Sequence, residues 1–201
     1  MSKARLEAFS DGVFAIVITL LILDVHIPRG VSYEELPHAL AGMIPNILTY
    51  ILSFIIVGLY WISHHQILGM MEKINRPIMW MNILGLMTVS FIPFPASLIG
   101  EFPMGRLPVV FYGCSLLTAN FTGFIAWYYM SRCRQLLRHD VTPQMIRAMN
   151  LTFLSVNVAY LVAIGVAFLS VIASYSIFLL VILLLIVRKP WEKHHHSHKS
   201  G

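Results

Sequence analysis

The sequence predicts an all-α integral membrane protein. Three observations carry that prediction. Hydrophobic residues make up 58% of the 201 residues and charged residues only 11%, against about 25% charged in soluble domains. Six apolar runs follow one another, five of them long enough as helices to cross a hydrocarbon core of roughly 30 Å and the sixth shorter. The basic residues sit between those runs and form no stripe, which argues against a nucleic-acid partner despite the formal charge of +5.

The first run covers about residues 6–26, with Asp11 in its first turns and Asp24 near its end. A charge inside a span costs about 2.5–3.5 kcal/mol on insertion scales, so it usually has a partner and often a function. No small-residue cleavage site follows, so this run is expected to serve as its own insertion signal. Pro28 and Gly30 break it. Ser32 and Glu35 have the spacing of a capping box and predict that the second helix opens there. That helix becomes apolar over about residues 43–68, with a kink at Pro45. Glu72, Lys73, Asn75 and Arg76 form a polar turn.

Pro77 opens a third span that reaches about residue 99, bent at its end by Pro93 and Pro95. The fourth covers about residues 109–130. Cys114 and Cys133, in or beside it, read as small apolar residues and form no Cys-x-x-Cys pair. Thr142 and Pro143 read as the N-cap and first position of a fifth helix, apolar over about residues 147–169. A turn near Ala173 and Ser174 leads to a sixth span at about residues 175–187. Residues 1–188 are thus expected to form one six-helix domain. Residues 189–201 are a polar tail whose histidines read as a weak metal tract or an engineered remnant.

Of the 14 lysines and arginines, all but Arg29 and Arg106 fall on one side of these spans. That bias predicts a multi-pass protein of the cell membrane with both termini in the cytoplasm. The other side carries Asp24, Glu34, Glu35 and Glu101, an acidic rim that concentrates cations until salt screens it.

At 100° per residue, Gly12, Ile16, Thr19, Leu20 and Leu23 fall within about 50° either side of one line on the first helix. Asp11 lies about 140° from Ile16. On periodicity alone the stripe is either a lipid-facing or packed face, with Thr19 bonded to a carbonyl one turn back, or a functional lining. In the second helix, His64 and His65 are adjacent and cannot chelate one metal, so no metal site is expected. One is expected to hydrogen-bond inside the bundle and the other to reach the interface. Trp61 reads as a belt residue or as packed within the bundle. Asn82 is a candidate buried amide, of a kind whose interhelical bonds contribute roughly 0.6–2 kcal/mol. With odd spans running outward and even spans inward, Asp11, His64, His65 and Asn82 share the cytoplasmic half. No Walker loop, dinucleotide fingerprint, nucleophile elbow or triad is present, so neither an enzyme nor a cofactor is expected. No TVGYG loop is present, which excludes a carbonyl-lined potassium filter. The two halves share no motif, which weakens an inverted-repeat transporter.

Three motifs occur together over residues 5–100: Arg5-x-x-x-Phe9-Ser10-Asp11, Tyr60-Trp61-x-x-His64-His65, and Asn82-Ile-Leu-x-Leu with Phe91-Ile-Pro93-Phe94-Pro95. Together they resemble the prokaryotic branch of the transmembrane protein 175 family, whose vertebrate members are endolysosomal potassium channels. The resemblance implies a homotetramer of six-helix subunits, with the first helix lining a central pore. It implies that Ile16, Leu20 and Leu23 form the constriction, over about 10 Å of helix, and that Thr19 supplies a filter-region hydroxyl. It implies a polar network of Arg5, Ser10, Asp11, Trp61, His64 and Asn82, with His65 as the alternative histidine. The expected function is a potassium-preferring cation channel gated by the wetting of aliphatic rings. Its partners are copies of itself, the lipid bilayer and monovalent cations, with no nucleic acid. No metal or cofactor is implied beyond permeant potassium ions. The alternatives are a secondary transporter or proton pathway relayed by Asp11, His64 and Asn82, or an assembly subunit without transport.

Overall fold

The first apolar run forms α1 over Lys3–Leu20, then tightens into a 3₁₀ turn at Leu21–Asp24, in a computed structural model that describes residues 2–187. Leu6, Ser10, Phe14, Val17 and Leu21 are buried, a spacing that selects one helix face. That face packs on α3, Ile44–Gly69, and α4, Arg76–Ser90.

Between α1 and α3 lies the short helix α2, Leu36–Gly42. The Ser32–Glu35 pair forms, but it does not cap this helix. The Ser32 N–H and hydroxyl donate to the Glu35 carboxylate at 3.1 and 3.0 Å, closing a turn that ends before Leu36. Pro37 occupies the first helical turn, where a missing N–H is tolerated. α2 ends at Met43, and α3 begins with Pro45 in its own first turn. The proline therefore separates two helices and does not kink one.

Asn75 caps α4, its Oδ1 accepting the Ile78 N–H at 3.1 Å. The third apolar run does not stay one helix. α4 stops at Ser90, and α5, Pro93–Glu101, restarts after Phe91 and Ile92. Pro93 and Pro95 have no N–H to return to the preceding turn, which accounts for the break. α6, Arg106–Arg132, is the longest helix described, with Cys114 exposed on it and Cys133 just beyond it, both free thiols. α7, Pro143–Ala167, opens on Thr142, whose Oγ1 accepts the Met145 N–H at 3.3 Å. α8 covers Val171–Val187. The turn between α7 and α8 falls at residues 168–170, not at Ala173 and Ser174. Ser174 lies inside α8, fully buried, and donates to the Ala163 carbonyl on α7 at 2.9 Å.

α6 forms the centre, packed on α4, α5 and α7, and α8 closes against α7 and α3. Tyr112, Leu116, Tyr160 and Phe178 are fully buried there. Polar groups inside this apolar interior are paired, as burial demands. Tyr60 donates to the Leu116 carbonyl at 2.9 Å, with its oxygen 3.1 Å from the Tyr160 hydroxyl. The Ser53 and Tyr112 hydroxyls meet at 2.9 Å. Asn120 Nδ2 donates to Asn157 Oδ1 at 3.0 Å.

At the end of the bundle where the chain begins, the α6–α7 segment clips onto the α3–α4 turn. Met71 and Leu137 form an antiparallel bridge. The Glu72 N–H donates to the Leu136 carbonyl at 2.8 Å and the Arg138 N–H to the Met70 carbonyl at 3.0 Å. Lys3 Nζ donates to the Met71 carbonyl at 3.0 Å, and Leu6 joins Met71, Trp127 and Leu136 in an apolar cluster.

Five segments are long and apolar enough to cross a membrane: Lys3–Asp24, Ile44–Gly69, Arg76–Glu101, Arg106–Arg132 and Pro143–Ala167. Val171–Val187 is a shorter apolar helix of 17 residues. The expected polar tail and its histidines lie outside the described residues.

Candidate functional site

One face of α1 is locked into the bundle, and the opposite face carries the aliphatic stripe. Ile16 is 60% exposed, Leu20 43% and Leu23 67%, although all three are large and apolar. Thr19 is exposed on the same face. Within one chain nothing described covers this surface, so lipid or a second copy of the chain must face it. The Thr19 hydroxyl donates to its own helix, with the Ile16 and Ala15 carbonyls at 2.9 and 3.0 Å. Its oxygen keeps lone pairs able to meet a cation. The 3₁₀ turn lengthens the stripe, because its rise is about 2.0 Å per residue against 1.5 Å in an α-helix. Ile16 to Leu23 then spans about 12 Å, not 10 Å.

The polar residues gather at the other end of α1. Ser10 is fully buried, and its hydroxyl donates to the Leu6 carbonyl at 2.9 Å. Asn82 Nδ2 donates to Ser10 Oγ at 3.1 Å, and Asn82 Oδ1 lies 2.7 Å from His64 Nε2. An amide oxygen only accepts, so this amide orientation assigns the hydrogen to Nε2. His64 Nδ1 is then the lone-pair nitrogen, and it is buried without a partner. The Phe14 ring stands 5.4 Å from the imidazole, centre to centre.

Trp61 Nε1 donates to Asp11 Oδ1 at 2.8 Å. His65 stacks on the Trp61 ring at 5.9 Å. The two adjacent histidines therefore serve different contacts, and His64 is the one that meets Asn82. Ser10, Asp11, Trp61, His64 and Asn82 come together in two linked sets of bonds across α1, α3 and α4. Arg5 does not join them. It is exposed and has no hydrogen bond or ion pair with any described residue. Two other buried polar contacts were passed over in the sequence, the Asn120–Asn157 pair and the Trp127–Asn150 bond at 2.9 Å. A lone asparagine inside an apolar helix was the available signal.

This geometry can be set beside known proteins. A family model described as "Endosomal/lysosomal potassium channel TMEM175" matches residues 5–93, which include the stripe and the whole polar cluster. A protein of Streptomyces collinus named a potassium channel is 32% identical over 172 residues, 84% of each chain. One of Chamaesiphon minutus, also named a potassium channel, is 31% identical and covers 86% of this chain and 88% of its own. The crystal structure of a lysosomal potassium-selective channel TMEM175 homolog from Chamaesiphon minutus superposes with a TM-score of 0.83 at 29% identity, over 92% of this chain and 97% of that one. The Gallus gallus protein named endosomal/lysosomal proton channel TMEM175 is 43% identical over 110 residues, which are 51% of this chain and 22% of its length. An all-helical chain with five candidate spans, matched over most of its length by these relatives, is a multi-pass membrane protein and belongs to the TMEM175 family.

Proposed function

We propose that the chain is one subunit of a homotetrameric, potassium-preferring cation channel. The observation that carries this reading is the exposed aliphatic face of α1 on a helix whose opposite face is fixed by buried bonds. Four such faces around an axis would bury one another's stripes and form rings at Ile16, Leu20 and Leu23. Rings of this kind dewet when narrow and pass ions when slightly wider. Potassium is held less tightly by water than sodium, so it crosses an apolar ring at lower cost. Thr19 oxygens sit between the rings and replace part of the lost hydration. The contacts of Ser10, Asp11, Trp61, His64 and Asn82 set how α1 leans on α3 and α4, and so set the radius of the pore.

In this reading six segments cross the cell membrane, α8 being the sixth, since 17 residues of helix still suffice for a thin core. Both termini face the cytoplasm, as the placement of the basic residues supports. Residues 1–188 act as one domain with lipid around it. The relatives named potassium channels support the choice of ion, and the family is one of channels, not of enzymes.

The test is ion flux from the purified protein in liposomes, with potassium, caesium and sodium compared. Ile16→Asn places a ring of amides at the constriction and is expected to raise flux and weaken the preference for potassium. Flux and preference that survive polar replacement at Ile16, Leu20 and Leu23, singly and together, would refute the assignment.

A further inference from the structure

On the half of the bundle away from the start of α1, two rows of side chains line the seam where α4 and α5 pack on α6. Met87, Phe91, Phe94 and Leu98 form one row, and Leu107, Phe111, Cys114 and Thr118 the other. Both rows step by four, three and four residues, the spacing of one helix face. The first keeps its step through the break between α4 and α5. The rows line two adjoining hollows of about 710 and 370 Å³ that meet at Phe111, each of a size that takes a ligand. Phe91, Phe94 and Phe111 stand edge-on to one another, 5.6, 5.9 and 5.9 Å apart, and form the waist between the hollows.

The wall is apolar, and the hydroxyls in it are spent. Thr88, Ser115 and Thr118 donate to carbonyls of their own helices at 2.7, 2.7 and 2.8 Å. The groove therefore offers hydrocarbon contact and no free hydroxyl hydrogen. Its far mouth is the exception. Arg106, the first residue of α6, is exposed and has no hydrogen bond or ion pair with any described residue. Its guanidinium lies over the Phe168 ring, 5.9 Å from the centre. A stacked guanidinium is held by its face and keeps its N–H edge free. The cation is thus positioned but not neutralised. A bare hydrocarbon groove accepts any apolar chain, whereas one with a fixed cation at its mouth prefers a chain that carries an anion.

The groove has the length of a lipid tail. Arg106 to Thr118 covers about 18 Å of helix, and one leaflet of a hydrocarbon core is about 15 Å deep. Arg106 opens its span, where a basic side chain reaches the headgroup level. We infer that this groove binds one acyl chain of an anionic phospholipid, in the leaflet on the Arg106 side, with the lipid phosphate on the Arg106 guanidinium. The chain crosses the ring waist and ends near Met87 and Thr118. The site stands whether or not the assembly conducts ions.

The experiment uses the full chain, stripped of lipid in detergent, with dioleoylphosphatidylglycerol as probe and zwitterionic dioleoylphosphatidylcholine as its control. Native mass spectrometry of equal mixtures is expected to show the anionic lipid retained over the control by about tenfold, as one charge-assisted pair allows. Arg106→Gln should bring that ratio to about one, and Arg106→Lys, which keeps the charge, should keep part of it. Cys114→Phe fills the groove at an exposed position about 12 Å along α6 from Arg106 and should also lose the preference. The anionic lipid should raise the melting temperature of the wild type above its value with the control, and Arg106→Gln and Cys114→Phe should lose that increment while still folding. In a Cys133→Ser background, Cys114 should react with maleimide in the lipid-free protein and be protected by the anionic lipid. Equal retention of the two lipids by the wild type, or a preference that survives Arg106→Gln or Cys114→Phe, overturns the inference. Glycerol phosphate alone giving the same rise in melting temperature overturns it in favour of a free phosphate. A Cys114 that stays silent until the assembly dissociates overturns it in favour of a second copy of the chain covering the groove.

Discussion

Replacing Asn82 with leucine is expected to cost more than its own bonds contribute, because the change strands His64. Asn82 Nδ2 donates to Ser10, and Asn82 Oδ1 accepts from His64 Nε2. Interhelical bonds of this kind in membranes average about 0.6 kcal/mol each, so the pair contributes roughly 1 kcal/mol. Ser10 keeps the Leu6 carbonyl as its acceptor and is little affected. His64 is different, since its Nδ1 already has no partner. Without Asn82 the imidazole is unsatisfied at both nitrogens, and a stranded buried polar group costs about 1–3 kcal/mol. Asn82→Leu should therefore destabilise by about 2–4 kcal/mol. In the double variant His64→Phe with Asn82→Leu no polar group is stranded, and Phe14 offers the new ring an aromatic neighbour. The double variant should then recover about 1–3 kcal/mol relative to the sum of the single losses. Reversible unfolding in mixed micelles measures the cycle. Losses that add to within about 0.5 kcal/mol would show that His64 and Asn82 act independently, against the arrangement described.

Three further outcomes follow from local geometry. Gly113→Val places a Cβ 2.7 Å from Ile164 Cγ1 and 3.2 Å from Phe178 Cζ, and overpacking of this kind costs about 1–3 kcal/mol; an unchanged melting temperature would contradict the close approach of α6 to α7 and α8. Thr142→Ala removes the cap of α7 and should cost about 1 kcal/mol, read by the same melts. The Ser32 N–H and hydroxyl hold the Glu35 carboxyl below its ordinary value of 4.5. The sign is that of a lowered carboxylate: the turn gains its stability above the unfolded value and loses it as pH falls through the folded one. Ser32→Ala should raise the Glu35 titration midpoint in a carboxyl-resolved NMR titration, and a midpoint that stays put removes Ser32 as the cause.

Much of the architecture was readable because apolar runs of membrane length leave few alternatives. Pro77, Thr142 and Pro143 mark helix starts by chemistry that acts within a few residues. The polar cluster was readable for a related reason. Asp11, His64, His65 and Asn82 are each costly in an apolar run, and alternating spans bring them to one level; Ser10 came only through the family resemblance. Which histidine meets Asn82 depends on how α3 is rotated, and local pattern does not carry that. The α7–α8 turn was misplaced because Ala173 and Ser174 look like turn residues in isolation. Ser174 finds its acceptor on α7, at Ala163, and that partner decides its place in α8. Arg5 is the opposite case, a motif residue with no hydrogen bond or ion pair to any described residue.

The clip at the start of α1 has a mechanical consequence. Lys3 and Leu6 anchor the foot of that helix to Met71 and its neighbours, and Leu21, inside the 3₁₀ turn, is buried in the main apolar core against α3 and α5. A rod fastened at both ends does not swing about either. Counting the rise from Lys3, Ile16 lies about 20 Å along and Leu23 about 32 Å, so Ile16 stands between the two fastenings and Leu23 just beyond the second. In the tetramer proposed above, a change of bore would then require α1 to carry α3 and α4 with it.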